Sequence, residues 1–470
     1  MLTRLRLKGF KNLIDCEVRF GPFTCVAGPN GAGKSNLFDA IAFLSDLATY
    51  PIIEAAHRVR RTGRTSGSLV ELFAATPEGT AREMLLEADF LVPKVVRDDF
   101  DREAVPSSTF LTYIVGLRFL SETTGSERIE IFKEELTYVP KSDAKRRLGF
   151  LTSRAFLDSV LGGSKRSEYI STEVRDGGDS VILLRQDRVQ GPPSRVPARS
   201  TPRTVLSTVN TEDKPTALAA RREMQNWAQL QLEPSKLRQP DDFDAPSRLD
   251  SDGAHLPATL HRLGRYDAVA NTLANLLPDV GGIRVDLDES RRSKTLYLKT
   301  RFGGEYPARS LSDGTLRFLA LSVLAADETS MGVICMEEPE NGIHPARIPA
   351  IVELLKGIAV DTSVPVGEGN PLRQVIVNTH SPRVVTALAV EELIVATLVR
   401  VGSATATTFG SLEGTWRASL TTEGIKAPPV TRGMLIDYLE TVSSVATMNE
   451  TEVGSETIGE WAQQPLEFLE

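Results

Sequence analysis

The chain has 470 residues, of which 41% are hydrophobic and 25% charged, with a formal net charge of −8 at pH 7. No apolar run approaches the roughly 20 residues of a membrane-spanning helix, and the N-terminus alternates Arg and Lys with Leu, unlike a signal peptide. Three cysteines without paired spacing exclude a disulfide framework. These features predict a cytoplasmic protein with no membrane partner.

Charge is distributed unevenly along the chain. Residues 141–203 carry 13 Lys and Arg against 7 Asp and Glu, a local charge of +6. Residues 391–470 carry 4 against 12, a local charge of −8. The two regions could serve two different partners, and solvated surface is the simpler interpretation of each.

The first predicted elements are two strands within residues 1–20, a buried strand at 23–27 and a helix at 35–48. Between the last two stands Gly-Pro-Asn-Gly-Ala-Gly-Lys-Ser, which matches the phosphate-loop pattern Gly-x4-Gly-Lys-Ser/Thr. Backbone N–H groups and the helix N-terminus of such a loop surround phosphate oxygens. Lys34 would reach the β- and γ-phosphates, and the Ser35 hydroxyl would ligate Mg²⁺. The predicted nucleotide-binding residues are Asn30, Gly31, Gly33, Lys34, Ser35 and Asn36.

A short basic loop follows this helix at residues 57–64. Its Arg58, Arg60 and Arg61 are either solvated or in contact with phosphate or nucleic acid. Alternating segments at 83–92, 109–120 and 128–139 then predict antiparallel strands. We therefore interpret residues 1–140 as an N-terminal lobe with the phosphate loop and an antiparallel β subdomain.

The pattern changes in residues 141–290, which we interpret as a basic, mainly helical insert. Helices are predicted at 216–230, around 256–263 and at 266–277. None carries a sustained heptad pattern, so a compact lobe is expected in place of a long coiled-coil arm. A Pro/Ser/Arg-rich stretch at about 190–215 predicts a mobile loop. The basic cluster of this insert, a candidate nucleic-acid contact, is Lys145, Arg146 and Arg147.

Residues 291–400 carry three further motifs, which we interpret as a C-terminal lobe. Leu-Ser-Asp-Gly-Thr-Leu-Arg at 311–317 opens a helix and presents a hydroxyl and backbone N–H groups to an anion. An apolar strand at 332–336 ends in Glu337 and Glu338, at the sheet edge where α/β proteins bind ligands. One acid can hold Mg²⁺ through water, and the other can orient the attacking water. The next apolar strand ends beside His380, a position that favours a functional role.

The ordered motifs resemble those of ABC-type AAA family ATPases of the SMC, RecF and OLD branch. Residues 28–35, 311–317, 336–345 and 379–381 would be the Walker A, signature, Walker B with D-loop, and switch-histidine motifs. The resemblance implies an α/β fold, an ABC ATPase head. Its parts would be a P-loop NTPase core sheet, an antiparallel β subdomain and a compact, mainly helical inserted lobe.

The resemblance also implies the site's chemistry. ATP and Mg²⁺ would be the cofactors, and Glu337, with Ser35, would hold the metal. Glu338 would be the general base and His380 the γ-phosphate sensor.

A head-to-tail nucleotide sandwich is the assembly that the resemblance implies. In a homodimer, or a higher homo-oligomer of dimers, Ser312 and Gly314 of one subunit would contact the γ-phosphate bound to the other. ATP would close the dimer, and hydrolysis would release it.

Two departures from the family pattern stand out. The family usually has Asp where this chain has Glu337, which lengthens the reach by one methylene. The family also has a Q-loop glutamine after Walker A, but no Gln occurs in this chain before Gln186. Either another residue holds the metal and water there, or hydrolysis is slow and awaits a partner.

The acidic C-terminal extension, residues 401–470, is either a docking surface or a partly disordered tail. The final 90 residues contain no Asp-x-Asp, so no nuclease domain is expected. The chain resembles stand-alone ATPase subunits of bacterial anti-phage defence systems, PARIS-like ones among them, which work with a separate effector protein. Two alternatives stay open: a RecF-like ATPase that clamps duplex DNA, and an ATP-gated scaffold with slow or no hydrolysis.

Overall fold

The computed structural model describes residues 1–59, 68–77, 79–121, 127–163, 168–175, 180–187, 191–420, 430–431 and 433–435. Arg60, Arg61 and most of the acidic extension lie outside these residues. In the described ranges, the strands are β1 (Leu2–Phe10), β2 (Leu13–Arg19), β3 (Phe23–Ala27), β4 (Ala75–Thr76), β5 (Gly79–Thr80), β6 (Glu83–Leu91), β7 (Val96–Arg97), β8 (Glu103–Ala104), β9 (Phe110–Ser121), β10 (Glu127–Tyr138), β11 (Ile170–Val174), β12 (Ser180–Leu184), β13 (Ser194–Pro197), β14 (Trp227–Leu230), β15 (Asp241–Asp242), β16 (Val280–Asp288), β17 (Ser293–Thr300), β18 (Glu305–Pro307), β19 (Gly332–Glu337), β20 (Arg373–Thr379), β21 (Leu393–Val401) and β22 (Ala404–Gly410).

The α-helices of the same ranges are α1 (Lys34–Leu47), α2 (Ile52–Arg58), α3 (Lys141–Leu148), α4 (Arg154–Val160), α5 (Pro215–Gln225), α6 (Pro234–Leu237), α7 (Leu256–Leu263), α8 (Tyr266–Leu276), α9 (Asp313–Ala326), α10 (Ile348–Ile358), α11 (Pro382–Thr386) and α12 (Trp416–Ser419). Within the part of the chain that the structure describes, no helix has the length and apolar character needed to cross a bilayer.

A six-stranded sheet in the order β14-β19-β20-β3-β21-β22 forms the centre of the fold. All neighbours are parallel except β21 and β22. Every residue of β3 and β20 is buried, as expected for parallel strands covered on both faces. Along β3, Val26 packs with α1 in one core, whereas Cys25 and Ala27 pack with α9 and α10 in another. The sheet therefore brings the carboxyl ends of β3, β19 and β20 to one edge.

The second large sheet has eight strands in the order β13-β12-β11-β10-β9-β6-β1-β2, and all its pairs are antiparallel. It contains the predicted strands at 83–92, 109–120 and 128–139. Buried side chains of this sheet, such as Leu5, Leu86 and Val115, join the core that also holds α1. The predicted antiparallel β subdomain beside a phosphate-loop core is therefore confirmed.

The helix predicted at 216–230 is shorter than expected, because α5 ends at Gln225 and residues 227–230 form β14. The stretch 141–290 also contains the other two predicted helices as α7 and α8. Its strands, however, are shared with other parts of the fold. β11, β12 and β13 extend the eight-stranded sheet, β14 forms one edge of the central sheet, and β16 pairs with β17. The insert therefore shares sheets with neighbouring parts of the fold. Its apolar strand β12 is mostly buried, and its backbone groups are paired by β11 and β13.

The stretch at about 190–215, predicted to be a mobile loop, has ordered contacts in part of its length. It contains β13, and residues 204–207 are buried, whereas all of residues 191–203 except Ala198 are exposed or half-buried. β13 pairs with β12, and Val205 and Leu206 are 2% and 0% exposed. The backbone N–H groups of both residues donate to the buried carboxylate of Glu134 at 2.8 Å. These contacts offset the loop-forming composition, and sequence composition alone does not reveal them.

Candidate active site

The phosphate loop connects the end of β3 to the start of α1. Gly33, which precedes the helix, has φ of 88°, and a Cβ there would lie 2.0 Å from Oγ1 of Thr407. Thr407 in turn donates to the Ala32 carbonyl at 2.9 Å, so β22 supports the loop from outside. Gly31 also has positive φ, at 78°. These positions need glycine, and they give the loop the shape that the sequence pattern predicts.

Lys34 lies inside this loop and is 6% exposed. Its Nζ donates to the carbonyls of Gly28 at 2.6 Å and Pro29 at 2.9 Å. Burial lowers the pKa of Lys34, and the nearby carboxylates of Glu338 and Glu340 oppose that effect. The side chain is thus an ammonium donor at the centre of the loop, within reach of an anion bound there.

Asn30 and Gly31 form the exposed tip of the loop, whereas Asn36 points to the β1–β2 turn. Its Nδ2 donates to Oδ1 of Asn12 at 2.7 Å. The Asn12 carbonyl also accepts from the backbone of Thr407 at 2.9 Å. Asn12 and Thr407 are supporting residues that sequence reasoning missed, because they lie far from the loop along the chain.

Ser35, Glu337 and Gln229 form a polar cluster where α1 meets β19 and β14. The Ser35 hydroxyl donates to Oε2 of Glu337 at 3.1 Å. Nε2 of Gln229 donates to Oε1 of the same carboxylate at 2.7 Å. A hydroxyl, a carboxylate and a carboxamide are oxygen ligands of the kind that Mg²⁺ prefers. Gln229, which sequence reasoning missed, places a carboxamide beside Glu337 because β14 pairs with β19.

Glu338 follows β19 in a backbone conformation with φ of 46°, unusual for a residue other than glycine. Nδ2 of Asn341 donates to its Oε2 at 2.7 Å, and Nδ1 of His380 lies 2.7 Å from its Oε1. Burial favours the neutral acid, yet these two hydrogen bonds outweigh it and hold the pKa of Glu338 below its ordinary value. The structure therefore brings the predicted base and the predicted histidine into contact, with an ionised carboxylate between Asn341 and the imidazole.

The signature turn opens α9. Ser312 is exposed and caps the helix by accepting from the Thr315 backbone N–H at 3.3 Å. Ser312 and Gly314 line a cavity of about 920 Å³ together with residues of β17, β18 and the 342–347 segment. No described residue of the phosphate loop contributes to this cavity.

The predicted nucleic-acid contacts do not form one free basic patch. Arg58 donates to Asp46 at 3.1 Å, and Arg147 donates to the buried Asp89 at 3.0 Å. Both guanidinium groups are thus engaged in ion pairs. Among the described members of the set, Arg58, Lys145 and Arg146 are exposed and Arg147 is half-buried. Arg146 also lies 3.5 Å from the Asp143 carboxylate. Arg60 and Arg61 lie outside the described residues.

The sequence matches a family model described as "AAA domain, putative AbiEii toxin, Type IV TA system" over residues 23–177 and 201–386. These ranges include the phosphate loop, the signature turn, both acids after β19 and His380. They cover more than half of the chain. The chain belongs to this AAA-domain family.

Curated relatives of this AAA-domain protein match over shorter stretches. The DNA replication and repair protein RecF of Magnetococcus marinus is 39% identical over 84 residues, 18% of this chain and 20% of RecF. The OLD nuclease of Thermus scotoductus is 49% identical over 41 residues, 9% of this chain and 8% of the nuclease. The chain thus spans about a fifth or less of these relatives. Together with the family model, these partial matches support an assignment to the ABC-type AAA ATPases of the SMC, RecF and OLD branch.

Among solved structures, the head domain of Smc bound to the C-winged helix domain of ScpA is similar to this protein. The two are 16% identical, with a TM-score of 0.46, over 88% of this chain and 98% of the Smc head. The match to an SMC head domain from Thermotoga maritima spans 88% of this chain and 99% of the SMC head domain, with a TM-score of 0.39 and 15% identity.

Proposed function

We propose that this AAA-domain protein binds ATP with Mg²⁺ and hydrolyses ATP, with Glu338 as the general base. The observation that carries the proposal is the 2.7 Å contact of Glu338 with His380, at the sheet edge that also holds the phosphate loop. The lowered pKa of Glu338 keeps its carboxylate ionised, as a base must be to accept a proton from water. His380 would orient this carboxylate and contact the γ-phosphate.

Ser35, Glu337 and Gln229 would hold Mg²⁺. In the described ranges, no group of three His, Cys, Asp or Glu side chains is placed to bind a metal by itself. The single carboxylate of Glu337, with the Ser35 hydroxyl and the Gln229 carboxamide, suits Mg²⁺, which commonly takes one or two carboxylates, water and substrate phosphates. When bound, the ion would neutralise charge on the phosphates, and Lys34 would add a second positive charge.

The ATPase proposal is tested by turnover and nucleotide binding measured on the same variants. Glu338→Gln should keep ATP affinity within about threefold and lose about 10²–10³ in kcat, since the amide cannot accept the proton. Lys34→Ala should lose binding. Glu353→Gln is the matched control, because this carboxylate is 70% exposed on α10, and it should leave both quantities unchanged. Equal turnover in Glu338→Gln and wild type would contradict the assignment and favour the ATP-gated scaffold.

A nucleotide-sandwich homodimer would complete the site. The support is that Ser312 and Gly314 line a cavity to which no described residue of the phosphate loop contributes. Glu338→Gln should double in mass on light scattering when ATP and Mg²⁺ are added, and Ser312→Arg in that background should stay monomeric. Ser290→Arg, on the exposed β16–β17 turn, is the control and should still dimerise. A dimer that forms equally well with Ser312→Arg would overturn the arrangement.

For the biological process, we propose a sensor or motor subunit of a bacterial, PARIS-like anti-phage defence complex with a separate effector protein. The support is the toxin–antitoxin wording of the family description. A second candidate is a RecF-like clamp on duplex DNA, favoured by the RecF matches and by exposed Lys145 and Arg146. The ion pairs of Arg58, Arg146 and Arg147 with Asp46, Asp143 and Asp89 reduce the positive charge available for that role.

One purification separates the two candidates. Glu338→Gln is expressed with its genomic neighbours, purified with ATP and Mg²⁺, and analysed by mass spectrometry and for nucleic acid. A stoichiometric second protein without DNA supports the defence complex. Duplex DNA without a protein partner supports the clamp, which also predicts DNA-stimulated turnover with steep salt dependence. In that case Lys145→Glu with Arg146→Glu should remove the stimulation.

A further inference from the structure

We propose that Glu340 is a positioning residue that holds His380 against Glu338, acting through the hydroxyl group of Thr379. The inference rests on the proposed ATPase function. It concerns residues behind the reacting groups, in the turns that follow β19 and β20.

The contact between Glu340 and Thr379 is buried. The two residues are 8% and 0% exposed, and the Thr379 hydroxyl donates to Oε1 of Glu340. The backbone N–H of Ser381 then donates to the same hydroxyl oxygen at 2.9 Å. Because a hydroxyl has one proton, its donation to Glu340 leaves the oxygen's lone pairs to accept from Ser381. The Thr379 side chain thus links Thr379 and Ser381, the residues on both sides of His380, through a hydrogen bond.

The contact that this arrangement would support is exposed. The side chains of His380 and Glu338 are 42% and 30% exposed, so surrounding side chains do not enclose the pair. Exposed ion pairs contribute little by themselves, because holding two flexible side chains costs entropy. The 2.7 Å spacing must therefore depend on where the backbone places the two residues. The backbone of Glu338 is fixed by a bond of 3.0 Å from its N–H to the Asn378 carbonyl. Thr379 fixes the turn on the other side.

The buried position of the Glu340 carboxyl group lowers the stability of the fold. Its Oε2 is buried and has no hydrogen-bond partner among the described residues. Burial, with Glu338 nearby, raises the pKa of this carboxyl group. An unpaired buried acceptor lowers stability, so packing alone does not account for a glutamate here. A cost of this kind beside a reacting site points to a functional reason.

The test measures whether Thr379 acts through His380. Thr379→Val should lower kcat about tenfold with KM for ATP within about twofold, since the histidine is misplaced but the phosphate loop is intact. Thr379→Ser keeps the hydroxyl and should restore kcat. Thr259→Val is the matched control, a threonine 1% exposed whose hydroxyl bonds only within α7, and it should not change kcat.

A double variant tests whether Thr379 affects kcat through His380. In the His380→Ala background, Thr379→Val should cause no further loss of kcat, because the residue it positions is gone. A second tenfold loss in that background would overturn the inference. Glu340→Met should show lower kcat with unchanged or higher thermal stability, a combination that a purely structural residue would not give. Loss of stability in proportion to activity would also overturn it.

A spectroscopic readout keeps the inference testable apart from turnover. The chain has five histidines, and the imidazole resonance of His380 in ¹³C-histidine-labelled protein is identified by its loss in His380→Ala. Thr379→Val and Glu340→Met should shift this resonance, whereas Thr379→Ser and Thr259→Val should not. If wild type fails to hydrolyse ATP, the ATPase proposal fails, and this spectrum still decides the positioning. An unmoved resonance in Thr379→Val would refute it.

Discussion

Nε2 of Gln229 lies 2.7 Å from Oε1 of Glu337, although the two residues are 108 positions apart. They meet because β14 pairs in parallel with β19, the strand that ends in Glu337. The longer side chain of Glu337, where the family usually has Asp, is therefore held on two sides, by Gln229 and by Ser35. This geometry leads to a prediction about metal dependence.

Gln229→Ala should raise the Mg²⁺ concentration needed for half-maximal turnover by about 10–100-fold, because the carboxylate loses the group that orients it. ATP binding measured without Mg²⁺ should change little. Gln231→Ala removes an exposed glutamine two residues further along and should match wild type. An unchanged Mg²⁺ requirement in Gln229→Ala would show that Glu337 needs no such support.

The signature turn depends on Arg238, which donates to the Leu311 carbonyl at 3.1 Å and contacts the Asp313 carboxylate. These acceptors stand on both sides of Ser312. Arg238→Ala should speed hydrogen exchange of backbone amides in 311–315 about tenfold, which corresponds to about 1.4 kcal/mol of local stability. Global stability should change by less than about 1 kcal/mol, because the pair is partly exposed.

The control for this measurement lies at the other end of the same helix. Arg262 donates to Asp327 at 2.5 Å, and Arg262→Ala should leave exchange in 311–315 at the wild-type rate. Equal acceleration by both variants would mean that α9 responds as a whole. The local role of Arg238 would then be wrong.

Glu134 should make stability depend on pH. Burial raises its pKa to about 7, although three hydrogen-bond donors favour the charged form. Between about pH 4.5 and 7 the unfolded chain releases this proton while the folded chain keeps it, so stability falls as pH rises. The free energy of unfolding of wild type minus that of Glu134→Gln should decrease by up to about 3 kcal/mol from pH 5 to pH 8.

This pH effect is measured by urea unfolding at several pH values. A flat difference for Glu134→Gln would show that the buried carboxyl keeps an ordinary pKa.

Arg373 should contribute to the stability of the fold and not to ATP hydrolysis. It is 3% exposed and donates to backbone carbonyls at the ends of α9 and α10, namely Ile358, Leu324, Asp327 and Ala325. Arg373→Leu would remove the guanidinium donor from all four carbonyls, of which Leu324 and Asp327 still accept from a backbone N–H. The loss should cost about 3–5 kcal/mol in the free energy of unfolding. Arg291→Leu, at a side chain 83% exposed, should cost less than about 0.5 kcal/mol. Similar melting temperatures for both variants would contradict this role.

Much of the fold could be predicted because the signals are local. The alternation in β6 and β10 indicates a buried face, and the apolar runs of β9 and β19 indicate strands covered on both sides. The stretch at 191–215 shows where local signals fail. Its prolines and serines are typical of a loop, yet the carboxylate of Glu134, from a strand far along the chain, pairs with its backbone.

The sequence by itself determined the phosphate loop, the pair of acids after β19 and the histidine after β20, because each is a short motif whose backbone geometry depends on adjacent residues. Only the tertiary structure decided which distant side chains support them: Gln229 at Glu337, Asn12 at Asn36, and Glu340 at Thr379. These contacts depend on strand order and register, which arise from burying two faces of one sheet at once. No window of sequence contains both partners, so packing had to supply them.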